Sequence, residues 1–237
     1  RVFIEGALVA EEGKYLPEIK KCDISSVKGS VIVKDFSKEK FKMNLKSNKV
    51  NVIKILPGGV VTAKDTAEIE LDANGEFVRN PEVDLVKVAV VERHQGTGNV
   101  ACGFLKGYGI KEGAVALSVA HDSHNIIVVG VNDEEMEFAV NSLIEQEGGI
   151  VLVKEGKVIE SMPMPIAGLM SDQSGEWVDQ KLTDIHEKAY EELGICGDVE
   201  PVMTLCFMSL AVIPEIKLTD MGLFDVTTFS FIPVEVE

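Results

Sequence analysis

The segment from Ser118 to Asn125 contains the side chains of this chain that are best suited to chemistry. Two histidines stand three positions apart in it, and three further polar residues lie beside them. These polar residues are His121, Asp122, Ser123, His124 and Asn125. Imidazole transfers protons near neutral pH, and a neighbouring carboxylate can fix its tautomer and raise its basicity. The pattern therefore favours acid–base chemistry, because a hydrolytic metal site would need at least one ligand more.

A second polar group follows the valine-rich run 85–91 and consists of Glu92, Arg93 and His94. His94 is a candidate third ligand or proton carrier. Arg93 could pair with a carboxylate or a substrate anion, although an arginine at a strand end is more often an exposed surface group. A structural alternative stays open for both groups. Their side chains could simply hydrogen-bond the backbone of a turn, since His-x-x-His alone is a weak signal.

Other short motifs in the chain are incomplete. Gly96-Thr97-Gly98 and Gly107-Tyr108-Gly109 match only the first part of a dinucleotide-binding GxGxxG motif, and no GK[ST] motif follows either of them. Ser123 lacks the glycines of a G-x-S-x-G nucleophile turn. His186 is expected to be an ordinary exposed residue of a polar helix. Dinucleotide, P-loop and serine-hydrolase sites are therefore not indicated.

Short apolar runs and helical patterns must place these polar groups. Strands are predicted over 50–56, 60–63, 85–91, 114–120, 126–129, 150–153 and 158–159, and a last strand over 226–232. Helices are predicted over 100–106, over 133–147 with Asn132 as N-cap, and from about 175 to 193 with Ser171 or Asp172 as cap. The mixture predicts an α+β fold with mixed or antiparallel sheets and packed helices. In it, the polar groups lie at sheet ends, where binding loops are common.

Composition excludes several classes of partner. The chain has 237 residues and a net charge of -16, so it has no general attraction for nucleic acid or for anionic lipid. No apolar run is long enough to span a bilayer, and the first residues do not resemble a signal peptide. The four scattered cysteines are expected to be reduced and mostly buried, as in a cytoplasmic protein. The two short apolar runs before residue 11 are expected to belong to a sheet that continues upstream of Arg1.

Several of these segments together carry a family resemblance. The segments are Glu92-Arg93-His94, Gly107-Tyr108-Gly109, Ser118 to Ile126, Pro165-Ile166-Ala167-Gly168-Leu169-Met170-Ser171-Asp172 and Leu218-Thr219-Asp220-Met221-Gly222-Leu223-Phe224-Asp225. The chain resembles the C-terminal region of bacterial adenine deaminase, an amidohydrolase, from about Asn44 to Phe231. The resemblance implies that residues 1–35 end a small β-sandwich domain and that residues 36–237 form the C-terminal α+β domain.

The family's chemistry belongs to the complete enzyme. Adenine deaminases resemble other amidohydrolases, and this resemblance implies a pair of divalent metal ions, manganese or iron, inside a barrel that this sequence lacks. The metals activate a water that converts adenine to hypoxanthine and ammonia. Four histidines cannot supply two metals, so we expect no metal ligands here and expect the isolated segment to be inactive.

The resemblance leaves two roles open for this part. Residues 92–94 and 121–125 could face the barrel mouth and help to close the site over adenine. Alternatively, the domain could brace the barrel, which is either on the same polypeptide or on a separate chain, or could form an oligomer interface. A homo-oligomer in the cytoplasm is expected, with no nucleic-acid or membrane partner.

Overall fold

The computed structural model describes residues 1–236, and within them the chain forms sixteen strands, three α-helices and two short 3-10 helices. The strands are β1 (Val2–Ile4), β2 (Ala7–Glu11), β3 (Lys14–Tyr15), β4 (Lys49–Ile55), β5 (Thr62–Glu68), β6 (Glu70–Leu71), β7 (Phe77–Val78), β8 (Leu85–Val91), β9 (Val100–Lys106), β10 (Ala114–Leu117), β11 (Ile126–Gly130), β12 (Gly149–Lys154), β13 (Lys157–Pro163), β14 (Ile216–Thr219), β15 (Gly222–Asp225) and β16 (Ser230–Phe231). The helices are α1 (Asp133–Glu145), α2 (Gly175–Glu191) and α3 (Pro201–Cys206), and the 3-10 turns are Ser25–Val27 and Lys38–Phe41.

One large sheet organises the chain. Its eight strands lie in the order β13-β12-β10-β11-β8-β9-β4-β5. Neighbouring strands are antiparallel except β4 and β9, which are parallel. The sheet is therefore mixed, and the predicted α+β class is confirmed.

The central strands are continuous apolar runs because both faces of the sheet are covered. Every residue of β8 is buried, including Lys87. Successive side chains of a strand point to opposite faces. Val88 and Val90 accordingly join one core, whereas Ala89 and Val91 join the other. A strand buried on both faces loses the polar alternation of a half-exposed strand, which explains the sequence of this run.

Different elements cover the two faces. On one face α2, α3 and the small sheet β14-β15-β16 supply apolar side chains to the core. On the other face lie α1 and the segment 31–41. The side chain of Asn132 accepts a hydrogen bond from the amide of Glu135, which confirms the predicted N-cap of α1.

Both outer strands of the large sheet have exposed backbone groups that are bonded elsewhere. On β5, Thr62 exchanges backbone hydrogen bonds with Pro214 and Glu215, and the amide of Lys64 donates to the Glu215 carboxylate. On β13, the Ile159 carbonyl accepts from the Lys188 ammonium, and the amide of Ser161 donates to the Glu160 carboxylate. These contacts occupy some of the donors and acceptors that another strand would need.

Three predictions about local structure are wrong. Residues 100–106 form strand β9, not a helix, because this run pairs along its whole length with β8. The predicted strand 226–232 is a turn over 226–229, and only Ser230–Phe231 of that range form a strand, β16. The cap of α2 is Ser174, which accepts from the amide of Trp177, not Ser171 or Asp172.

The cysteines also differ from expectation. All four are free thiols, but Cys22 and Cys196 are exposed and Cys102 is partly buried. Only Cys206 is fully inside the core, where burial raises the pKa of its thiol to about 12. The expectation that most of them are buried is wrong.

The first strands form a small separate sheet, β1-β2-β3. Several large apolar side chains near it are exposed, among them Phe3, Ile4 and Ile19. The division of the chain into 1–35 and 36–237 stays a prediction. Among residues 1–236 no helix is long and apolar enough to cross a membrane.

Candidate functional site

The two predicted polar groups lie together at one end of the large sheet. Strand β8 ends at Val91, strand β10 ends at Leu117, and β11, which lies between them in the sheet, begins at Ile126. These three strands alternate in direction, so the loops after β8 and β10 and before β11 lie at the same end of the sheet. We call residues 92–94 and 118–125 the polar rim.

Glu92 is buried in the polar rim and bonded only to its own loop. Its carboxylate accepts hydrogen bonds from the amides of His94, Gln95 and Thr97 and from the Thr97 hydroxyl, at 2.5–3.0 Å. Burial alone would raise the pKa of Glu92, but these donors outweigh it and lower the pKa to about 2. Glu92 is therefore ionised, and its carboxylate stabilises the conformation of its own loop with both oxygens already hydrogen-bonded.

Arg93 is fully buried, so the expectation of a surface arginine is wrong. Its guanidinium donates to three backbone carbonyls: that of His124 at 2.5 Å, Ala167 at 3.2 Å and Ser30 at 3.3 Å. Burial lowers the pKa of Arg93, and the charge of Glu92 opposes that effect. The side chain thus joins three separate segments of the chain.

His94 and Ser123 connect the two halves of the polar rim. The Nε2 atom of His94 lies 2.8 Å from the Ser123 carbonyl, so a neutral ring carries its proton on Nε2. Its own amide is bonded to Glu92. His94 is exposed, and one of its two ring nitrogens remains open to a ligand.

His124 occupies a special backbone conformation. Its φ is +53°, in the left-handed region, and its amide donates to the Ala120 carbonyl at 2.5 Å. Burial lowers the pKa of its ring, and the positive charge of Arg93 lowers it further. The ring is therefore neutral at neutral pH and can either donate or accept a hydrogen bond.

His121 is an exposed member of the polar rim. Its side chain is 50% accessible, and its Nδ1 atom is paired with the carboxylate of Asp122. This pairing places the proton of a neutral ring on Nδ1 and leaves Nε2 as an acceptor. The ring stacks on Phe207 with centroids 5.2 Å apart, and the backbone amide of His121 donates to the Cys206 carbonyl.

The loop from Pro165 to Asp172 lies against the polar rim. Ser118 is fully buried and donates its hydroxyl to the Gly168 carbonyl at 2.5 Å, while it accepts from the Gly149 amide at 2.8 Å. Ala167 and Gly168 both have positive φ, at 57° and 71°. The contacts of Ser118 and Gly168 were not predicted, and the Ala-Gly pair in a motif segment was the only local signal for this turn.

Asn125 extends the polar rim toward the β14–β15 hairpin. Its side chain is buried, its oxygen accepts from the Arg93 amide at 3.4 Å, and its nitrogen donates to Asp220 at 3.3 Å. Asp220 also accepts from Asn99 at 3.4 Å. Sequence reasoning missed Asp220 as a neighbour of this site, because the two segments are 95 positions apart.

The remaining candidates lie elsewhere. Tyr108, in the Gly107–Gly109 segment, is buried and donates to the Pro201 carbonyl at 2.8 Å. His186 is paired with Glu200. Among residues 1–236 no three His, Cys, Asp or Glu side chains are grouped so as to hold a metal ion. The side chains of the polar rim therefore do not fit a metal centre of their own.

The geometry brings together parts of four of the five segments that carry the family resemblance at one end of the large sheet. The chain belongs to the adenine deaminase C-terminal domain family, whose model matches residues 59–230. It is similar to adenine deaminase 2 of Desulfotalea psychrophila, with 67% identity over 99% of the chain. It is also similar to the adenine deaminase of Ligilactobacillus salivarius, with 46% identity over 99% of the chain, and to adenine deaminase 2 of Carboxydothermus hydrogenoformans, with 45% identity over 98%.

The match covers only part of each relative. The chain spans 41% of the length of the first two proteins and 40% of the third. Most of each relative therefore lies outside the segment that corresponds to this chain.

Proposed function

We propose that this chain is the C-terminal part of an adenine deaminase, an aminohydrolase that converts adenine, a cyclic amidine, to hypoxanthine and ammonia. Its polar rim contributes to closing the active site over the purine. The names of the relatives support the reaction. One observation supports the role of the rim: four segments that carry the resemblance meet at one end of the large sheet. These segments are 92–94, 118–126, 165–172 and 218–225.

Any catalytic metal pair, manganese or iron, would have its ligands outside this chain. The residues of the polar rim would supply hydrogen bonds and exclude water. A neutral imidazole with one open nitrogen suits a purine ring, whose nitrogens present both donors and acceptors. His124 has this character, and His121 presents its Nε2 atom beside it in the same loop. The segment alone would not turn adenine over.

A structural role is the second candidate, and one observation favours it. Much of the polar capacity of the rim is already used on its own backbone: Glu92 bonds three amides, and Arg93 bonds three carbonyls. Under this alternative the domain braces the barrel or forms a homo-oligomer interface. The exposed apolar side chains beside β1-β2-β3 would then contact the rest of the polypeptide. Location in the cytoplasm stays a prediction.

A chimera tests the reaction and separates the two roles. The matching segment of the Desulfotalea psychrophila protein is replaced by this chain, and deamination of adenine is followed by the release of ammonia. If the proposed reaction is correct, the chimera releases ammonia from adenine. His121→Ala and His124→Ala should each lower kcat/KM by about 10- to 1,000-fold, which is a loss on the order of 1.4–4 kcal/mol of transition-state stabilisation.

The matched control is His186→Ala, because this histidine pairs with Glu200 and lies outside the polar rim. Its turnover should equal that of the unsubstituted chimera. Equal turnover in all three histidine variants, with unchanged melting temperatures, would reject the closing role and favour the brace.

A further inference from the structure

Two loops of the polar end of the sheet have backbone conformations that need external support. His124 and Ala167 both lie in the left-handed region, with φ of 53° and 57°. A residue with a β-carbon pays a conformational cost there, and such residues persist where surrounding contacts over-determine them. The two residues belong to different loops, 118–125 and 165–172.

The same side chain is bonded to both of these residues. Arg93 donates from Nε to the His124 carbonyl at 2.5 Å and from Nη2 to the Ala167 carbonyl at 3.2 Å. Within residues 1–236, no carboxylate lies within ion-pair distance of its guanidinium. A buried guanidinium that bonds only carbonyl groups stabilises the positions of those carbonyls, because its donors are fixed in one plane.

Gly168 packs closely against the guanidinium. A β-carbon on Gly168 would lie 2.8 Å from Nη1 and 3.0 Å from Cζ of Arg93. Gly168 is in turn bonded to Ser118 through its carbonyl. The 165–172 loop therefore contacts Arg93 on one side and Ser118 on the other.

We propose that Arg93 is a positioning residue of this enzyme: it fixes the 118–125 and 165–172 loops relative to each other, so that His124 faces the substrate in one arrangement during turnover. The inference rests on the proposed function of the polar rim. It also assigns the 165–172 loop to the active-site closure, through its bond to the same guanidinium. Arg93 itself does not touch the substrate, because it is fully buried.

The test uses Arg93→Gln and Arg93→Lys in the chimera, with Lys87→Gln as the matched control. Lys87 is a buried cation on β8, the strand that leads to Arg93, but it bonds Phe41 and Asp133 near the other end of that strand. Hydrogen–deuterium exchange should rise in both loops in the Arg93 variants and in neither loop in the control. The value of kcat should fall about 10- to 100-fold in Arg93→Gln, with the KM for adenine changed less than about threefold.

A second pair of variants keeps the test informative if Arg93 variants fold poorly. Gly168→Ala should displace the guanidinium, since its β-carbon overlaps Arg93. Gly156→Ala is its control, because Gly156 has a similar φ of +66° and nothing lies within 4 Å of the added carbon. Exchange in the 118–125 loop should rise in Gly168→Ala alone, and kcat should fall with it.

The outcomes are distinguishable from failure of the proposed function. Unchanged exchange in both loops of the Arg93 and Gly168 variants overturns the positioning role, whatever the histidine variants show. Raised exchange with a normal kcat in the Arg93 and Gly168 variants also overturns the positioning role, if the His124 variant has lost activity. If kcat is normal in these variants and the histidine variants are fully active as well, both the positioning role and the proposed function of the polar rim are rejected.

Discussion

Replacement of Glu92 by glutamine should cost this chain much of its stability at neutral pH. Glu92 is 7% exposed, and its carboxylate accepts four hydrogen bonds from its own loop. A neutral amide has one acceptor oxygen, and its NH₂ group would face the Thr97 donors. Glutamine therefore imitates the protonated acid and leaves buried donors without acceptors.

The magnitude follows from the pKa of Glu92, which the structure lowers from 4.5 to about 2. At about 1.36 kcal/mol for each unit, this difference corresponds to about 3 kcal/mol of folding free energy. A lowered pKa means that the unfolded chain binds the proton more tightly. The contribution of Glu92 is therefore fully present above about pH 4.5 and declines as the pH falls toward about 2.

The assay is urea unfolding of the chain at several pH values from 7 to 3, followed by circular dichroism. The difference in unfolding free energy between wild type and Glu92→Gln should be about 3 kcal/mol at pH 7 and should shrink below pH 4.5. Glu155→Gln is the control, because Glu155 lies exposed in the turn between β12 and β13. A Glu92→Gln variant within about 0.5 kcal/mol of wild type at pH 7 would refute the reasoning.

Two further substitutions test the interior of the domain. Lys217 is fully buried and bonds only the Val60 carbonyl, and burial lowers its pKa to about 8. The unfolded chain therefore binds this proton more tightly, so the free energy of unfolding should rise between about pH 8 and 10.5. The Lys217→Met variant should lose this rise, which urea midpoints measured across this pH range would show. Gly113→Ala should destabilise the chain by more than about 3 kcal/mol, because the new β-carbon would lie 1.9 Å from the Val153 carbonyl oxygen at a φ of +67°. A melting temperature equal to wild type would contradict the second prediction, and an unchanged pH dependence in Lys217→Met would contradict the first.

Strands buried on both faces could be predicted from the sequence, because their composition reports their environment. The run 85–91 has the bounds of β8, and Asn132 caps α1 as expected. The run 100–106 was predicted wrongly because a short apolar segment has no period that separates helix from strand. Its partner β8 decides the outcome, and that pairing is tertiary information.

The candidate site could be predicted as a set of residues but not as a network. Residues 92–94 follow β8 and residues 118–125 precede β11, and these two strands are neighbours in the sheet, so the proximity of the two polar groups could be predicted from the pattern. The burial of Arg93 was not, because it depends on carbonyls from residues 30, 124 and 167 that meet only in the folded chain. The same holds for Asp220, which reaches Asn125 from a distant hairpin.

Hydrogen bonds at the outer strands of the large sheet limit where a further strand could add to it. On β5 the backbone of Thr62 and the amide of Lys64 are bonded to Pro214 and Glu215, and on β13 the Ile159 carbonyl and the Ser161 amide are bonded to Lys188 and Glu160. A strand from a second molecule would have to displace these partners in order to pair at these positions. The same contacts disfavour fibrous growth of a valine-rich sheet from these positions.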